Sequence, residues 1–135
     1  MSVVTFDFDN TLKMTAMTPD GFEVDLGPNL VMLQNLRAYL ANGQQVHIVT
    51  TRTLGHGEVL GATEVDLFCS DHDLTVSGIH FTNGKDKTPT LLALGTVRHF
   101  DDDPDEIDAL PDGVGVLVPV DPSWHVPFEG AANGR

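Results

Sequence analysis

The chain has 135 residues, of which 41% are hydrophobic, and a formal net charge of −13. This length predicts one compact domain, and the negative charge disfavours long DNA or RNA as partners because it repels their phosphate backbones. The sequence contains no run of about 18 apolar residues and no basic, apolar leader, so we predict no membrane partner and a cytoplasmic location. The single cysteine, Cys69, fits a reducing compartment and is predicted to be a small buried hydrophobe.

Short apolar runs alternate with helical patterns along the chain, which is typical of βαβ units around a parallel sheet. Val3–Phe6 is continuously apolar or β-branched and is predicted to be the central strand, covered on both faces. The pattern from Leu12 to Gly27 is weak, and Pro19-Asp20-Gly21 reads as a turn within it. We therefore predict a small hairpin or flap at about residues 12–27.

The rest of the chain continues the alternation. Leucines at helical spacing predict a helix with Pro28 in its first turn and a stop at Asn42-Gly43, and a second strand follows at Val46–Val49. Residues 53–68 are predicted to be helical in part, although three glycines weaken that pattern. The remaining predicted elements are a strand at Gly78–Phe81, a short helix from an N-cap at Thr88 to Gly95, a strand at Val97–Phe100, a helix at Pro104–Leu110, a last core strand at Val114–Val118 and a surface tail from about residue 120 to 135. The predicted fold is one α/β domain, residues 1–135, with a Rossmann-like parallel sheet flanked by helices.

Polar residues of chemical interest follow three of the predicted strands: Asp7 with Asp9, Thr50, and Asp101 with Asp102. The carboxyl ends of parallel strands meet at one edge of a sheet, where the reactive crevice of such folds lies. Alternation along an extended segment places the two side chains of a D-x-D pair on the same side, about 6.6 Å apart. The sequence therefore predicts a convergent cluster of carboxylates.

Such a cluster repels itself unless a cation neutralises it, and a hard divalent ion with oxygen ligands, Mg²⁺, is the economical choice. Two simpler interpretations stay open for either pair alone. Asp and Asn are common in turns after strands, and D-x-D pairs also occur in glycosyltransferases and nucleases. Asp103 has its own structural interpretation, as a helix N-cap with Glu106 closing a capping box.

The order of the motifs adds specificity. The segments Val-Val-Thr-Phe-Asp-Phe-Asp-Asn-Thr-Leu, His-Ile-Val-Thr-Thr-Arg, Lys87 and His-Phe-Asp-Asp-Asp resemble, in sequence order, the four motifs of the haloacid dehalogenase-like (HAD) superfamily. The resemblance covers residues 3 to about 120. A response-regulator receiver also uses acidic residues, Thr and Lys, but nothing acidic follows its Lys, whereas here an acidic pair comes after Lys87.

The resemblance implies a Mg²⁺-dependent phosphatase. Asp7 would attack phosphorus and form an aspartyl-phosphate, and Asp9 would protonate the leaving oxygen and later activate water. The implied metal site consists of Asp7, the main-chain carbonyl of Asp9, Asp101 and Asp102, with the direct ligand among the last two left open.

The resemblance also implies a set of phosphate-binding groups. Thr50 and Lys87 would hold the transferring phosphoryl oxygens, with the loop around Asn10 and Thr11 contributing backbone N–H groups. The four cations Lys13, Arg52, Lys85 and Lys87 fall in or beside the motifs, which favours a local positive pocket in an acidic shell.

Three residues compete for these phosphate-binding roles. Thr51 is the rival of Thr50, which we prefer because the apolar run ends at Val49; Lys85 is the rival of Lys87, which we prefer because the cap at Thr88 fixes its position. Arg52 could fork onto a substrate phosphate or remain an exposed arginine at the end of a strand.

The gap after the first motif holds only the predicted flap, so the chain resembles the small, capless members of the superfamily. Within the family an open site implies a large substrate or a lid from another subunit, hence a homo-oligomer. We predict hydrolysis of a phosphomonoester, with a nucleotide or other small phosphate as substrate. The alternatives are a polynucleotide 3′-phosphatase, which the acidity disfavours, and a non-catalytic, Mg²⁺-binding regulatory or interaction domain.

Overall fold

A computed structural model describes residues 2–53 and 59–119, without the side chains of residues 59–61. The described residues form a five-stranded sheet in the order β5-β4-β1-β6-β7, in which all four pairings are parallel, and a separate two-stranded antiparallel hairpin. The strands are β1 (Val3–Phe6), β2 (Lys13–Met17), β3 (Glu23–Pro28), β4 (Gln45–Thr50), β5 (Gly78–Phe81), β6 (Thr96–Asp101) and β7 (Gly115–Leu117). The helices are α1 (Leu30–Ala41), α2 (Val59–Asp71), α3 (Thr88–Leu94) and α4 (Pro104–Asp108). The predicted α/β class, with a parallel sheet between helices in a Rossmann-like arrangement, is confirmed.

Strand β1 lies at the centre of the sheet, as its continuously apolar or β-branched sequence predicts. Alternate side chains of β1 point to opposite faces of the sheet, and two apolar clusters cover these faces. Val4 and Phe6 pack into the larger cluster with residues of α1, α2 and β4, whereas Val49 on β4 contacts a smaller cluster formed with Leu91 and Leu110. Phe6 also stacks on Phe100 of β6, with ring centroids 4.7 Å apart. These layers hold β1 in register between its two neighbours.

The predicted hairpin is present as β2 and β3, which pair antiparallel. Pro28 is the last residue of β3, so its predicted place in the first turn of a helix is wrong. The side chain of Asn29 caps α1 instead by accepting the Met32 N–H at 3.3 Å. An Asn side chain satisfies a free helical N–H, which Pro lacks the acceptor to do.

The strands at Val3–Phe6 and Gly78–Phe81 agree with their predictions, and the remaining described boundaries differ by at most three residues. Thr88 is the first residue of α3 rather than its N-cap, which is Lys87, and the Thr88 hydroxyl is buried with no hydrogen-bond partner among the described residues. The glycine-rich part of the predicted helix at 53–68 falls partly on residues 54–58, and the predicted surface tail on residues 120–135; both lie outside the described residues. Cys69 is buried and unpaired, and burial raises the pKa of its thiol to about 11.

No helix among the described residues is long and apolar enough to cross a membrane.

Candidate active site

The register of the sheet brings Asp7 and Asp101 together. Phe6 of β1 is paired with Phe100 of β6, and each of the two aspartates directly follows its phenylalanine. The Asp7 N–H continues the ladder by donating to the Phe100 carbonyl at 2.8 Å. The two carboxylates therefore leave neighbouring strands at the same edge of the sheet, as strand order predicts.

Lys87 lies between these two carboxylates. Its Nζ donates to Asp7 Oδ1 at 2.7 Å and to Asp101 Oδ2 at 2.6 Å, and the residue is 2% exposed. The second Asp7 oxygen, Oδ2, accepts from the Thr11 hydroxyl at 3.0 Å. Burial tends to lower the pKa of Lys87, but the negative charges of Asp7 and Asp101 raise it above its usual value, so the ammonium form is held.

Three carboxylates converge at this point. One oxygen each of Asp7, Asp101 and Asp102 lies within 4.8 Å of the others. The pKa of Asp7 is raised well above its usual value, first by burial and then by the charge of Asp101 and a hydrogen bond with Asp102, against the opposing effect of Lys87. Burial also raises the pKa of Asp102. The three carboxylates offer hard oxygen ligands and repel one another, so the donor set fits a hard divalent cation that would offset this repulsion.

Asp101 differs from the other two carboxylates. Burial acts to raise its pKa, but the hydrogen bond from His99 and the charge of Lys87 outweigh burial and hold the pKa at about 2. Its oxygens accept from Lys87 Nζ and, at 2.9 Å, from His99 Nε2, while Oδ1 accepts the Asp103 N–H at 3.1 Å. A carboxylate has about four acceptor positions, so Asp101 has little capacity left for a cation. Asp102 has more.

A cavity of about 410 Å³ opens above this cluster. Its lining residues are Asp7, Asp9, Asn10, Thr51, Lys87, Asp101, Asp102, Asp103 and Glu106. Lys87 is the one cation among these described lining residues, beside six carboxylates, so the predicted local positive pocket is wrong. A second cavity of about 380 Å³ shares the walls formed by Thr51, Asp103 and Glu106 and extends the opening towards Lys85.

The structure separates the rival residues. Lys85 is exposed on the second cavity, whereas Lys87 contacts the carboxylates. Thr51 lines both cavities, whereas Thr50 is 1% exposed and its hydroxyl accepts the Arg52 N–H at 3.2 Å. Thr51 is therefore the threonine with open access to the cavity, contrary to the preference drawn from the apolar run, because the strand continues through Thr50.

Arg52 forms a bidentate ion pair with Asp9. The guanidinium donates from Nε to Asp9 Oδ2 at 2.8 Å and from Nη2 to Asp9 Oδ1 at 2.7 Å. It also lies over the Phe8 ring and donates from Nη1 to Glu64 on α2 at 2.8 Å. Glu64 also pairs with Lys13, which begins the hairpin. The two neighbouring cations of the predicted positive pocket are thus neutralised by carboxylates of the same chain.

The loop after β1 is a tight turn. Asn10 has a φ of 59°, its N–H donates to the Lys13 carbonyl at 2.7 Å, and its side chain accepts from the Thr15 N–H and hydroxyl. The Thr11 N–H donates to the Phe8 carbonyl at 3.3 Å. These N–H groups, which we expected to face phosphate, are engaged within the turn.

Sequence reasoning missed two side chains that support the site. Glu106 does not close a capping box on Asp103; its Oε1 accepts the Lys87 N–H at 3.2 Å, and Asp103 alone caps α4 by accepting the Asp105 N–H. His99 is fully buried behind Asp101. Strand alternation was the available signal for His99, because it stands two residues before Asp101 on the same face of β6.

No protein-family model matches the chain, and the search of curated proteins found no match either.

Proposed function

We propose that this chain is a Mg²⁺-dependent phosphomonoester hydrolase of the capless HAD type, acting through an aspartyl-phosphate on Asp7. The observation that carries the proposal is the environment of Asp7 at the carboxyl end of the central strand. Its carboxylate faces a cavity, is bonded to Lys87 and Thr11, and lies within 4.8 Å of two further carboxylates. A nucleophile, a phosphate-binding cation and a hard-metal donor set are thereby combined at one point.

In the proposed reaction, an Asp7 oxygen attacks phosphorus as the bond from phosphorus to the leaving oxygen breaks. The leaving oxygen takes a proton from Asp9, which then removes a proton from the water that hydrolyses the aspartyl-phosphate. The Lys87 ammonium and the Thr51 hydroxyl would bind the transferring phosphoryl oxygens, whose charge a fixed cation stabilises. Bound Mg²⁺ would supply further neutralisation of that charge.

Asp7, Asp102 and the Asp9 carbonyl would hold the ion directly, and Asp101 would act through water. This assignment follows from the acceptor positions that Asp101 already uses for Lys87, His99 and the Asp103 N–H.

Arg52 acquires a different proposed role from the phosphate contact we first considered. Both of its bonds to Asp9 hold that carboxylate at the cavity wall. At least one bond must open before Asp9 can carry a proton to the leaving oxygen. Arg52 would therefore position the general acid between turnovers.

The acidity of the cavity favours a small substrate. Six carboxylates and one lysine line it, so a polynucleotide end would bring additional phosphates against negative walls. A phosphomonoester with an uncharged or cationic leaving group, or a nucleoside monophosphate, avoids most of that repulsion.

The direct test is hydrolysis of p-nitrophenyl phosphate by the wild type, Asp7→Asn and Asp66→Asn, with and without Mg²⁺. Asp66 is an exposed aspartate of α2 and provides a matched control for the charge change. We expect Mg²⁺-dependent hydrolysis by the wild type and the control, and a kcat at least about a thousandfold lower in Asp7→Asn. Unchanged hydrolysis in Asp7→Asn would overturn the nucleophile, whereas Mg²⁺ binding without hydrolysis of any ester would favour the non-catalytic alternative.

Substrate class is tested by comparing nucleoside monophosphates with a 3′-phosphorylated oligonucleotide at low and moderate salt. We expect a higher kcat/KM for the monophosphates. A preference for the oligonucleotide that weakens steeply with salt would reverse the proposal.

A further inference from the structure

A continuous line of hydrogen-bonded side chains leads to the site from the opposite end of β6, beginning at the half-buried Thr96 and continuing through the buried Thr5 and His99. The Thr96 hydroxyl lies 3.0 Å from the Thr5 hydroxyl, Thr5 Oγ1 lies 2.7 Å from His99 Nδ1, and His99 Nε2 lies 2.9 Å from Asp101 Oδ2. Lys87 bonds to that same Oδ2. Thr5 and His99 are neighbours in the sheet and are both 0% exposed, so water does not compete for these contacts.

The bonding partners determine which imidazole nitrogen carries the proton. An ionised carboxylate oxygen 2.9 Å from Nε2 requires a donor, so Nε2 carries hydrogen. In the neutral ring Nδ1 is then an acceptor, and the Thr5 hydroxyl at 2.7 Å is its donor; the other acceptor within reach of that hydroxyl, the Arg98 carbonyl, is farther away at 3.5 Å. Thr96 donates to Thr5 in turn, so every member of the line has a partner.

The bond from His99, the last member of this line, restricts the orientation of the Asp101 carboxylate. A carboxylate on a buried strand end can rotate about its terminal bond unless donors fix both oxygens. His99 and the Asp103 N–H engage opposite oxygens of Asp101, which leaves Oδ2 directed at Lys87. Rotation of the Asp101 carboxylate would break its bond to Lys87 and remove one of the two carboxylates that orient the ammonium group.

We propose that His99, oriented by Thr5, is a positioning residue that fixes the Asp101 carboxylate, and through it Lys87, in the geometry that the phosphate and cation site requires. The inference rests on the proposed function for its catalytic consequence, but not for the contact itself. His99 does not line the cavity, so it is not a catalytic residue. Its partners on both sides are protein groups, as in the outer shells that orient metal-binding residues elsewhere.

Two amide substitutions separate positioning from space-filling. In His99→Gln the amide N–H can take the place of Nε2–H and keep the bond to Asp101, whereas the shorter side chain in His99→Asn reaches only the Nδ1 position and loses that bond. The Asn side chain is one methylene smaller than that of Gln, so the loss of packing differs by about that much and is followed by thermal unfolding of each variant. His47→Gln, a substitution of a buried histidine on β4 outside the site, is the control for loss of an imidazole.

Mg²⁺ affinity measured by calorimetry and hydrolysis of p-nitrophenyl phosphate are the readouts, with thermal unfolding measured for each variant. We expect His99→Asn to weaken Mg²⁺ binding or lower kcat/KM by about 10–100-fold, and His99→Gln and His47→Gln to stay within about threefold of the wild type. Equal losses in His99→Asn and His99→Gln that follow their losses in Tm would overturn the inference, because packing alone would then explain them. Wild-type values in His99→Asn would overturn it as well.

The contact can also be decided without Mg²⁺ or substrate. Nitrogen-15 chemical shifts of the imidazole report the tautomer, and we expect protonated Nε2 and unprotonated Nδ1 for His99, changing in Thr5→Val. The opposite tautomer in the wild type would overturn the inference even if hydrolysis is observed. The expected tautomer in a protein that hydrolyses no phosphate ester would instead locate the failure in the proposed function.

Discussion

Lys87 shows at the scale of single residues how few side chains hold the site together. Its Nζ bonds to Asp7 and Asp101, which come from different strands, and its main-chain N–H bonds to Glu106 of α4. Position 87 was predictable because it precedes a helix after the third apolar run. The contacts that Lys87 makes were not predictable, because they depend on which strands become neighbours of β1. The same holds for Arg52, whose partner Asp9 is 43 residues away in the chain.

Replacing Lys87 by Met would leave two buried carboxylates without their cation. We expect the free energy of unfolding to fall by about 3–5 kcal/mol at neutral pH, measured by urea denaturation, because the cost of an unpaired buried charge is large. Lys85→Met is the matched control, since Lys85 is exposed and two residues away, and its effect should stay within about 0.5 kcal/mol. Equal effects of the two substitutions would contradict the central place of Lys87.

At the scale of elements, strands β4 and β5 carry a polar pair on one face. His47 Nδ1 lies 3.0 Å from His80 Nε2, and Gly78 makes the approach feasible, because a Cβ there would stand 2.9 Å from His47 Nδ1. Burial lowers the pKa of both histidines from the usual 6.5, and the neighbouring charge of His80 lowers that of His47 further. Apolar periodicity located both strands, but it could not reveal a pair that depends on their register.

These two pKa values have a consequence for stability. A histidine whose pKa is lowered by folding contributes stability that is fully present above its unfolded pKa, and that contribution is lost as the pH falls through the folded pKa. We therefore expect this pair to make the free energy of unfolding fall progressively as the pH is lowered from about 7.5 through the ordinary histidine pKa.

The measurement is urea denaturation across that range for the wild type and for a His47→Gln/His80→Gln double variant. The double variant should lose less stability on acidification, since every other titrating group is shared. A parallel decline in both proteins would show that the pair contributes nothing to the pH dependence.

At the scale of the whole molecule, negative charges greatly outnumber positive ones and repel one another. The chain carries 20 acidic residues and seven Lys and Arg, and the cavity walls are more acidic still. Self-repulsion of this kind destabilises a compact state and is screened by salt. The net charge was readable from composition. The concentration of negative charge around the candidate site was not readable from composition, because it depends on Arg52 and Lys13 pairing with Asp9 and Glu64.

Raising NaCl from about 10 to about 150 mM shortens the Debye length from about 30 to about 8 Å. We expect the Tm to rise by about 3–5 °C, which corresponds to roughly 1 kcal/mol in a domain of this size. MgCl₂ at equal ionic strength should raise it further, because specific binding to the folded state adds to screening. A Tm that is insensitive to NaCl would contradict the repulsion, and equal shifts in the two salts would contradict a Mg²⁺ site.

The sequence by itself determined the class of fold, the central position of β1 and the order in which Asp7, Thr50, Lys87 and Asp101 arrive at one sheet edge. Those properties follow from local apolar periods and from the rule that parallel strands end together. Only the tertiary structure decided that Thr51 rather than Thr50 opens to the cavity, that Arg52 clamps Asp9, and that His99 stands behind Asp101. Each of these depends on strand register and side-chain direction, which contacts between distant segments set; a local pattern gives at most the shared face of a strand, as for His99 and Asp101.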